Sequence, residues 1–490
     1  MDRKDASTGA PHWSERYELV VGLEVHAQLL TASKAYSSDA NAYGDHPNTN
    51  VSVVTLGHPG TLPVLNRAVV DHAIRLGLAT GCTIAERMHF ARKNYFYPDL
   101  PKGYQITQDT TPICTLGHVM IPVEGGEKRI GITRIHMEED AGKNLHVEGT
   151  PHTIVDYNRA GVPLIEIVGE PDLRSAAEAG AYLRALRQLV RWLEISDGNM
   201  EEGSLRADAN VSIRPRGQAA LGTKTELKNI NSFKFVEKAI EHEIARQIDV
   251  VSSGGRVVQE TRSWDADRGT SFSMRSKEQA HDYRYFPDPD LPPVVVGADW
   301  IARVTSALPE LPAQRRARYV AALGLPAHDA EVLTSERALA DWYEAAVAAP
   351  AKADAKKLSS WVQSELLRVV KDTPLGECPI KPDMLAELVA LIDAGTISGK
   401  IAKDIFARML ASGERPQVIV DREGLTQVSD SSAIEAAARA IIAAKPKEAA
   451  AYKAGKQQML GFFVGQTIKA MGGKANPQLV NDILKKLLES

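Results

Sequence analysis

Up to about residue 297, apolar and polar residues alternate with a period of two along several stretches, the mark of half-buried strands. In Tyr17–Leu29, Tyr17, Leu19, Val21, Leu23, Val25 and Ala27 make one face, and Glu24 and His26 sit two apart on the other, aimed at one point in space. A Glu-x-His pair of this kind serves a metal or acid–base site, or a surface ion pair. Around Arg134–Lys143, Thr133, Ile135 and Met137 alternate with Arg134 and His136 before the run Glu138-Glu139-Asp140. Continued, the alternation puts Glu139 on the apolar side and Glu138 and Asp140 with Arg134 and His136. An inward carboxylate needs a cation, a metal or a proton. The other reading ends the strand at Met137 and leaves the acidic trio as a solvated turn. Arg206, Asp208, Asn210, Ser212 and Arg214 share a face, as do Lys224, Glu226 and Lys228. Several strands of one antiparallel sheet thus carry Asp, Asn, Ser, Arg and Glu-x-His on one side. A merely wet face would be dominated by Lys and Glu, so this one reads as the lining of a polar cleft.

Helical spacing marks about 68–79, a helix opened by the capping box Ser175–Glu178, and Phe233–Val250, whose Val236, Ile240, Ile244 and Ile248 would cover the sheet's apolar side. The stretch from Glu260 to Pro293 is rich in Pro, Arg and Asp and closes the first domain. Beyond about 298 strand signals vanish. Alanine-rich amphipathic helices follow, among them Leu358–Val370 and Pro382–Ala394. The fold class is therefore α+β, an antiparallel-sheet domain with covering helices (17–297) followed by all-α sequence. Residues 1–16 are polar and turn-rich, and disorder is expected there.

Composition narrows the function classes. A chain of 490 residues divides into several domains. The net charge of −4 gives no overall pull toward nucleic acid or acidic membranes, so a polyanion must meet a local patch. Lys445, Lys447, Lys453, Lys456, Lys469, Lys474, Lys485 and Lys486, with few acids among them, are either such a phosphate-backbone patch or a solvated helical face. Three widely spaced cysteines argue against a disulfide framework and fit a reducing compartment. With no long apolar run and no signal-like N-terminus, a cytoplasmic protein without a membrane segment is expected.

The run Arg92–Gln105 is dense in aromatic, basic and amide groups. It either stacks a base or ribose, with Tyr95, and holds phosphates through Arg92, Lys93 and Lys102, or is a rigid Pro-stiffened loop. The glycine-rich phosphate loop, the dinucleotide fingerprint and the nucleophile elbow are all missing. No Cys-x-x-Cys exists either, so a thiolate zinc site fails on ligand count. A bound nucleotide must rely on metal and basic side chains.

Glu24-Val-His26, His58-Pro-Gly60, Lys93-Asn-Tyr-Phe-Tyr-Pro98, His136-Met-Glu-Glu-Asp140, Asp156-Tyr-Asn-Arg159, Glu201-Glu-Gly-Ser-Leu-Arg206 and Glu226-Leu-Lys-Asn229 occur in order. With them, the chain resembles the GatB family of the tRNA-dependent amidotransferases, from about Tyr17 to the C-terminus. The phrases Gly461-Phe-Phe-Val-Gly-Gln466 and Gly473-Lys-Ala-Asn-Pro477 look like that family's tail domain. The resemblance implies a cradle-shaped catalytic domain at 17–297, a helical domain at 298–424 and a tRNA-binding helical tail at 425–490. It implies a heterotrimer, GatCAB, with a glutaminase (GatA) and a small third polypeptide (GatC), working on Glu-tRNA(Gln) or Asp-tRNA(Asn). The activity implied is that of a ligase forming carbon–nitrogen bonds with glutamine as amido donor. ATP and Mg²⁺ phosphorylate the side-chain carboxylate, and channelled ammonia displaces the phosphate. Carried over by position, the metal residues are Glu24, His26, Glu139, Asp208 and Glu226; the His either orients a water or admits Mn²⁺. Lys93 is assigned to the transferring phosphate or to guiding ammonia, with Glu139, Arg206 and Lys228 beside it.

Many family members hold zinc with four cysteines before His-Pro-Gly. Here Ser37, Asp39, Ser52 and Thr55 stand at those positions, so no zinc is expected and Pro47 and local hydrogen bonds should hold the loop. Two other readings stay open. One is a non-catalytic tRNA-binding scaffold. The other is the archaeal-type Glu-specific relative, which would need a synthetase-like insertion that this chain lacks.

Overall fold

The computed structural model describes residues 13–147, 149–276, 283–371, 373–427, 431–472 and 475–489. The first twelve residues lie outside that set, and with them most of the segment expected to be disordered. Residues 13–16 do not fit that expectation: Trp13–Arg16 forms one helical turn, and Trp13 packs on the core.

The alternation of Tyr17–Gln28 (β1) sits at the centre of a nine-stranded sheet. The other strands are β2 (Thr83–Ile84), β3 (Cys114–Val123), β4 (Gly126–Glu139) and β5 (Pro163–Gly169) on one side. On the other are β6 (Leu205–Pro215), β7 (Thr225–Lys228), β8 (Glu260–Asp265) and β9 (Thr270–Ser276). The spatial order is β9-β8-β7-β6-β1-β5-β4-β3-β2. Every pairing is antiparallel except β7 with β8, where Glu226 lies beside Thr261 in a parallel pair. A parallel pair needs a crossover, and helix α3 (Phe233–Ser252) supplies it. The sequence pattern does not reveal β8 and β9. Their buried residues include Thr261 and Ser263, so no apolar alternation announces them.

Helices α1 (Arg67–Ala79), α2 (Ala176–Trp192) and α3 contribute to the apolar core of the sheet. Leu19, Val21, Leu23, Val25 and Ala27 share that core with Ile74, Tyr182, Leu186, Val236 and Ile240. Each such Leu, Val or Ile side chain withdrawn from water contributes roughly 1.5–3 kcal/mol before chain entropy is counted. The capping box forms with a shift: Ser175 Oγ accepts from Glu178 N at 3.1 Å, and the Glu178 carboxylate accepts from Arg174 N at 2.7 Å.

Gly77, on α1, is fixed by its neighbours. A Cβ there would lie 2.4 Å from Cys114 Sγ and 2.7 Å from Ile84 Cδ1. Gly77→Ala is expected to destabilise the first unit by roughly 1–2 kcal/mol through overpacking, read from its urea midpoint.

The chain forms two compact units, Met1–Leu311 and Pro312–Ser490. Helix α4 (Ala298–Ser306) follows the change in composition at 298, yet Val304 is buried in the first core and Trp300 Nε1 donates to Asp71 at 2.5 Å. The second unit has two apolar cores among the described residues. One gathers Tyr319, Trp342, Tyr343, Leu388 and Met409, the other Ile434, Phe463, Val480, Leu484 and Leu488. The helix expected at Leu358–Val370 contains a π-helical turn at Val362–Leu366. Leu358, Val362 and Leu366, four residues apart along it, are all fully buried. No strand follows Val294–Val295, and no helix is long and apolar enough to cross a membrane, among the described residues.

Candidate functional site

Strand register builds the site on the face away from the helices. His136 on β4 lies beside Glu166 on β5, Glu166 beside His26 on β1, and His26 beside Arg206 on β6. One row of four polar side chains thus crosses four strands. In the next row, Glu24 on β1 lies beside Asp208 on β6. Asn210 of β6 pairs with Glu226 of β7, and its amide donates to Glu24 Oε1 at 2.9 Å.

Two groups of donors result. Ligand atoms of His26, Glu138 and Glu166 all lie within 4.8 Å of one another, and so do those of Glu24, Asp208 and Glu226. In the first group, His26 Nε2 and His136 Nε2 each stand 3.3 Å from Glu166 Oε2, and His136 Nε2 stands 3.2 Å from Glu138 Oε1. Thr107 Oγ1 donates to Glu138 at 2.7 Å and Gln105 Nε2 at 3.1 Å. Burial works against charge here, but hydrogen bonds and charge from Glu138 and Glu166 raise His136 to about 9. Burial likewise resists ionisation of Glu138, and the hydrogen bond from His136 brings it down to about 2. Glu166 is lowered against its burial by its two histidines. In the second group, Lys228 Nζ bonds Asp208 and stands 3.1 Å from Glu226 Oε1, and Thr261 donates to Glu226 at 2.7 Å.

Glu139 joins neither group. The alternation carries it to the opposite side of β4, where Lys102 pairs with it and Ile106 N donates to it at 3.0 Å. The cation its inward position demanded is that lysine. There Glu139 lines an open cavity of about 180 Å³ with Tyr36, His58, Arg92, Lys102 and Tyr104. Lys34 is fully buried nearby, its ammonium donating to Asn50 O at 2.6 Å, and burial pushes it down to about 8.

The basic–aromatic run splits between these two regions. Lys93 and Tyr95 face the carboxylates. Burial opposes the charge of Lys93, but Glu138 leads the charges that raise it, and its Nζ lies 5.1 Å from the Tyr283 ring centre. Tyr95 meets Tyr97 and Tyr283 edge-on and is raised by burial and by Glu138. Arg92 and Lys102 belong to the cavity. Arg92 donates to Asp288 at 2.8 Å and Asp290 at 2.7 Å and lies 4.1 Å over Tyr104. Arg206 spans Asp140 at 3.2 and 3.1 Å, and Gln28 donates to the same carboxylate at 2.7 Å. With Glu138, Glu139 and Asp140 all buried, the acidic trio is no solvated turn.

His136 and Glu138 share the two-residue spacing of Glu24 and His26 and lie on the polar face that the alternation predicts, although the resemblance places neither among the metal residues; Glu166 has no such partner in sequence. Glu166 does leave a trace, a lone acid inside the otherwise apolar β5 (Pro163–Gly169).

Ser37, Asp39, Ser52 and Thr55, which stand where the resemblance implies zinc cysteines in other members, converge on one carboxylate. Asp39 Oδ2 accepts from Ser37 Oγ at 3.1 Å, from Ser52 N and Oγ at 2.9 Å, and from Thr55 Oγ1. Asp39→Ala leaves those donors without their acceptor and is expected to destabilise the first unit by about 1–2 kcal/mol in urea unfolding, with Asp39→Asn losing less.

An α+β cradle with carboxylates and imidazoles held at its centre, followed by a helical unit, defines a catalytic domain joined to a helical one. Family comparison gives the same succession: the family described as GatB/GatE catalytic domain matches residues 19–302, and the GatB domain matches residues 341–488. The chain belongs to the GatB family, the B subunits of the aspartyl/glutamyl-tRNA(Asn/Gln) amidotransferases, and that family is enzymatic. Among its relatives are B subunits of that amidotransferase from Solidesulfovibrio magneticus, 57% identical over 96% of this chain and 99% of the relative, and from Geotalea uraniireducens, 56% identical over 96% and 99%. Another, from Myxococcus xanthus, is 54% identical over 96% of this chain and 98% of the relative.

Proposed function

We propose that this chain activates the side-chain carboxylate of Glu-tRNA(Gln), Asp-tRNA(Asn) or both, as part of a glutamine-dependent ligase that forms carbon–nitrogen bonds. ATP is the phosphoryl donor. Ammonia from a glutaminase (GatA), assembled with a small third polypeptide (GatC), completes the amide in the cytoplasm. The observation that carries this reading is the pair of donor groups on one face of the sheet, within 4.8 Å inside each group.

The chemistry explains the need for such a site. A carboxylate is a poor electrophile because its leaving group would be oxide, and an acyl phosphate removes that obstacle. Phosphoryl transfer asks the protein for position and charge neutralisation, with no protein nucleophile. The donor sets fit a hard divalent cation: Glu24, Asp208 and Glu226 offer only oxygen, as Mg²⁺ prefers, and His26 with Glu138 and Glu166 also suits Mn²⁺. When bound, such a cation supplies the positive charge that draws ATP and substrate oxygens together.

The chain's own residues do the rest. Lys93, held charged beside Glu138, places an ammonium over the carboxylates for the transferred phosphoryl oxygens. Lys228 holds Asp208 and Glu226 in place, and Arg206 fixes Asp140 at the end of β4. The exposed lysines of the second unit, on helices Pro446–Lys453, Met459–Ala470 and Pro477–Glu489, are available to a phosphate backbone. Lys474 lies outside the described residues.

The test is to co-express the chain with its two partner polypeptides and supply Glu-tRNA(Gln) or Asp-tRNA(Asn). Mg²⁺-dependent ATP cleavage, with Gln- or Asn-tRNA formed when glutamine is added, is the expected result. Binding of the misacylated tRNA without any ATP cleavage would leave only a scaffold.

A further inference from the structure

We infer that four tyrosines, Tyr95, Tyr97, Tyr283 and Tyr285, form a stacking ladder for the unpaired 3′ end of the tRNA, leading its terminal nucleotide to the carboxylates of the sheet. The inference rests on the proposed reaction for the identity of its ligand. Tyr97 meets Tyr95 edge-on with ring centres 5.9 Å apart, Tyr95 meets Tyr283 at 6.1 Å, and Tyr283 meets Tyr285 at 6.0 Å. These are the tilted contacts that aromatic quadrupoles favour.

Hydrogen bonds fasten the two halves of the ladder, which are far apart in sequence. Asn94 N donates to Tyr283 O at 2.9 Å, and Asn94 Nδ2 donates to Tyr283 O at 3.2 Å and to Arg284 O at 2.8 Å. Arg284 has a φ of +44°, in the left-handed region that L side chains rarely enter. A strained residue persists where the surrounding structure fixes it, and here that structure is the joint between the two halves. The ladder runs past the carboxylates. Lys93, on the strand Ala91–Asn94, pairs across to Gln105, and the Gln105 amide donates to Glu138 at 3.1 Å. Side chains directly opposite in an antiparallel pair share a face, so Lys93 points to the same side as that amide. Its ammonium lies 5.1 Å from the Tyr283 ring centre, which gives the ladder a cation beside its middle rings.

The blander role for clustered tyrosines is packing that stiffens two loops. Packing buries rings, yet both ends of this ladder face solvent: Tyr97 is 53% exposed and Tyr285 41%. Such rings accept the flat face of a base, which a duplex hides in its own stack and a single strand presents. A lone nucleotide has one base to stack, whereas a succession of rings suits successive nucleotides. The misacylated tRNA carries its amino acid on the ribose of its last unpaired nucleotide. An end laid along the tyrosines therefore brings the side-chain carboxylate to the face that carries Glu138.

The test uses the chain assembled with its two partner polypeptides and Glu-tRNA(Gln) carrying 2-aminopurine in place of its terminal adenine. Binding to the wild-type complex should quench the probe as it stacks. Tyr97→Leu and Tyr285→Leu, at exposed positions, should each weaken tRNA binding by about tenfold, and the double variant should lose most of the quench at saturating tRNA. Tyr97→Phe and Tyr285→Phe should keep both affinity and quench. An excess of a non-cleavable ATP analogue should leave the quench in place. An unquenched probe on wild type, or wild-type affinity and full quench in the double leucine variant, overturns the ladder. So does an ATP analogue that relieves the quench by taking the rings for its own adenine. ATP cleavage by the wild-type complex is followed in parallel. Cleavage with an unmoved probe in the double variant rejects the ladder alone, and a lost quench there without wild-type cleavage upholds the ladder and rejects the reaction.

Discussion

Asp208→Asn, in the assembled enzyme, is expected to lower tRNA-dependent ATP cleavage by on the order of 10²- to 10³-fold. The amide keeps the shape of the side chain and removes one formal charge from a group of three carboxylates within 4.8 Å. Phosphoryl transfer draws its rate from the placement of positive charge against developing negative charge, and in the proposed reaction these oxygens would anchor that placement. Lys228 would also lose its closest partner and keep only Glu226 at 3.1 Å. Glu226→Gln should behave alike. Tyr43→Ala, on an exposed side chain of the first unit remote in sequence from the donor strands, serves as the comparison and should stay within about twofold of wild type. The measurement is phosphate release under saturating misacylated tRNA, with binding of that tRNA followed separately. An Asp208→Asn enzyme with full ATP turnover would remove this group from the mechanism.

The second large effect needs no turnover. Mn²⁺ or Mg²⁺ at about a hundredfold over its dissociation constant should raise the unfolding free energy of the first unit by about 2.7 kcal/mol for each group that binds it, because the native state alone gathers the donors. Asp208→Asn and Glu166→Gln should each reduce that increment, one from each group. Following the urea midpoint against cation concentration separates a metal site from a row of structural ion pairs. Unchanged midpoints in wild type at high cation, both without and with ATP, would assign both groups to structure alone.

The alternation of Tyr17–Gln28 and Leu205–Pro215 makes the central strands and their polar face legible, because one side of each packs on helices and the period of two survives. The same rule places Glu139 correctly as inward, and what it cannot say is which cation waits there. Lys102 comes from a separate loop, and only the fold brings the two together. Glu166 is hidden for the converse reason. Its strand is apolar on both sides of it, and the acid gains meaning only from His26 and His136 on the neighbouring strands. In sequence, the run Arg92–Gln105 reads as one nucleotide-binding surface or one stiff loop. Strand geometry sends Lys93 to one side and Arg92 to the other, where Asp288 and Asp290 hold it. Strands β8 and β9 escape notice because Ser, Thr and Arg fill them.

The ammonium of Lys228 already rests on two of the three carboxylates that a divalent ion would want. A newcomer must therefore evict a tenant before it can settle, and loading becomes an ion exchange instead of a simple capture. On the proposed function, such a cleft would take up a cation escorted by a nucleotide's own negative oxygens more readily than a bare one, because those oxygens would give the displaced lysine somewhere to go.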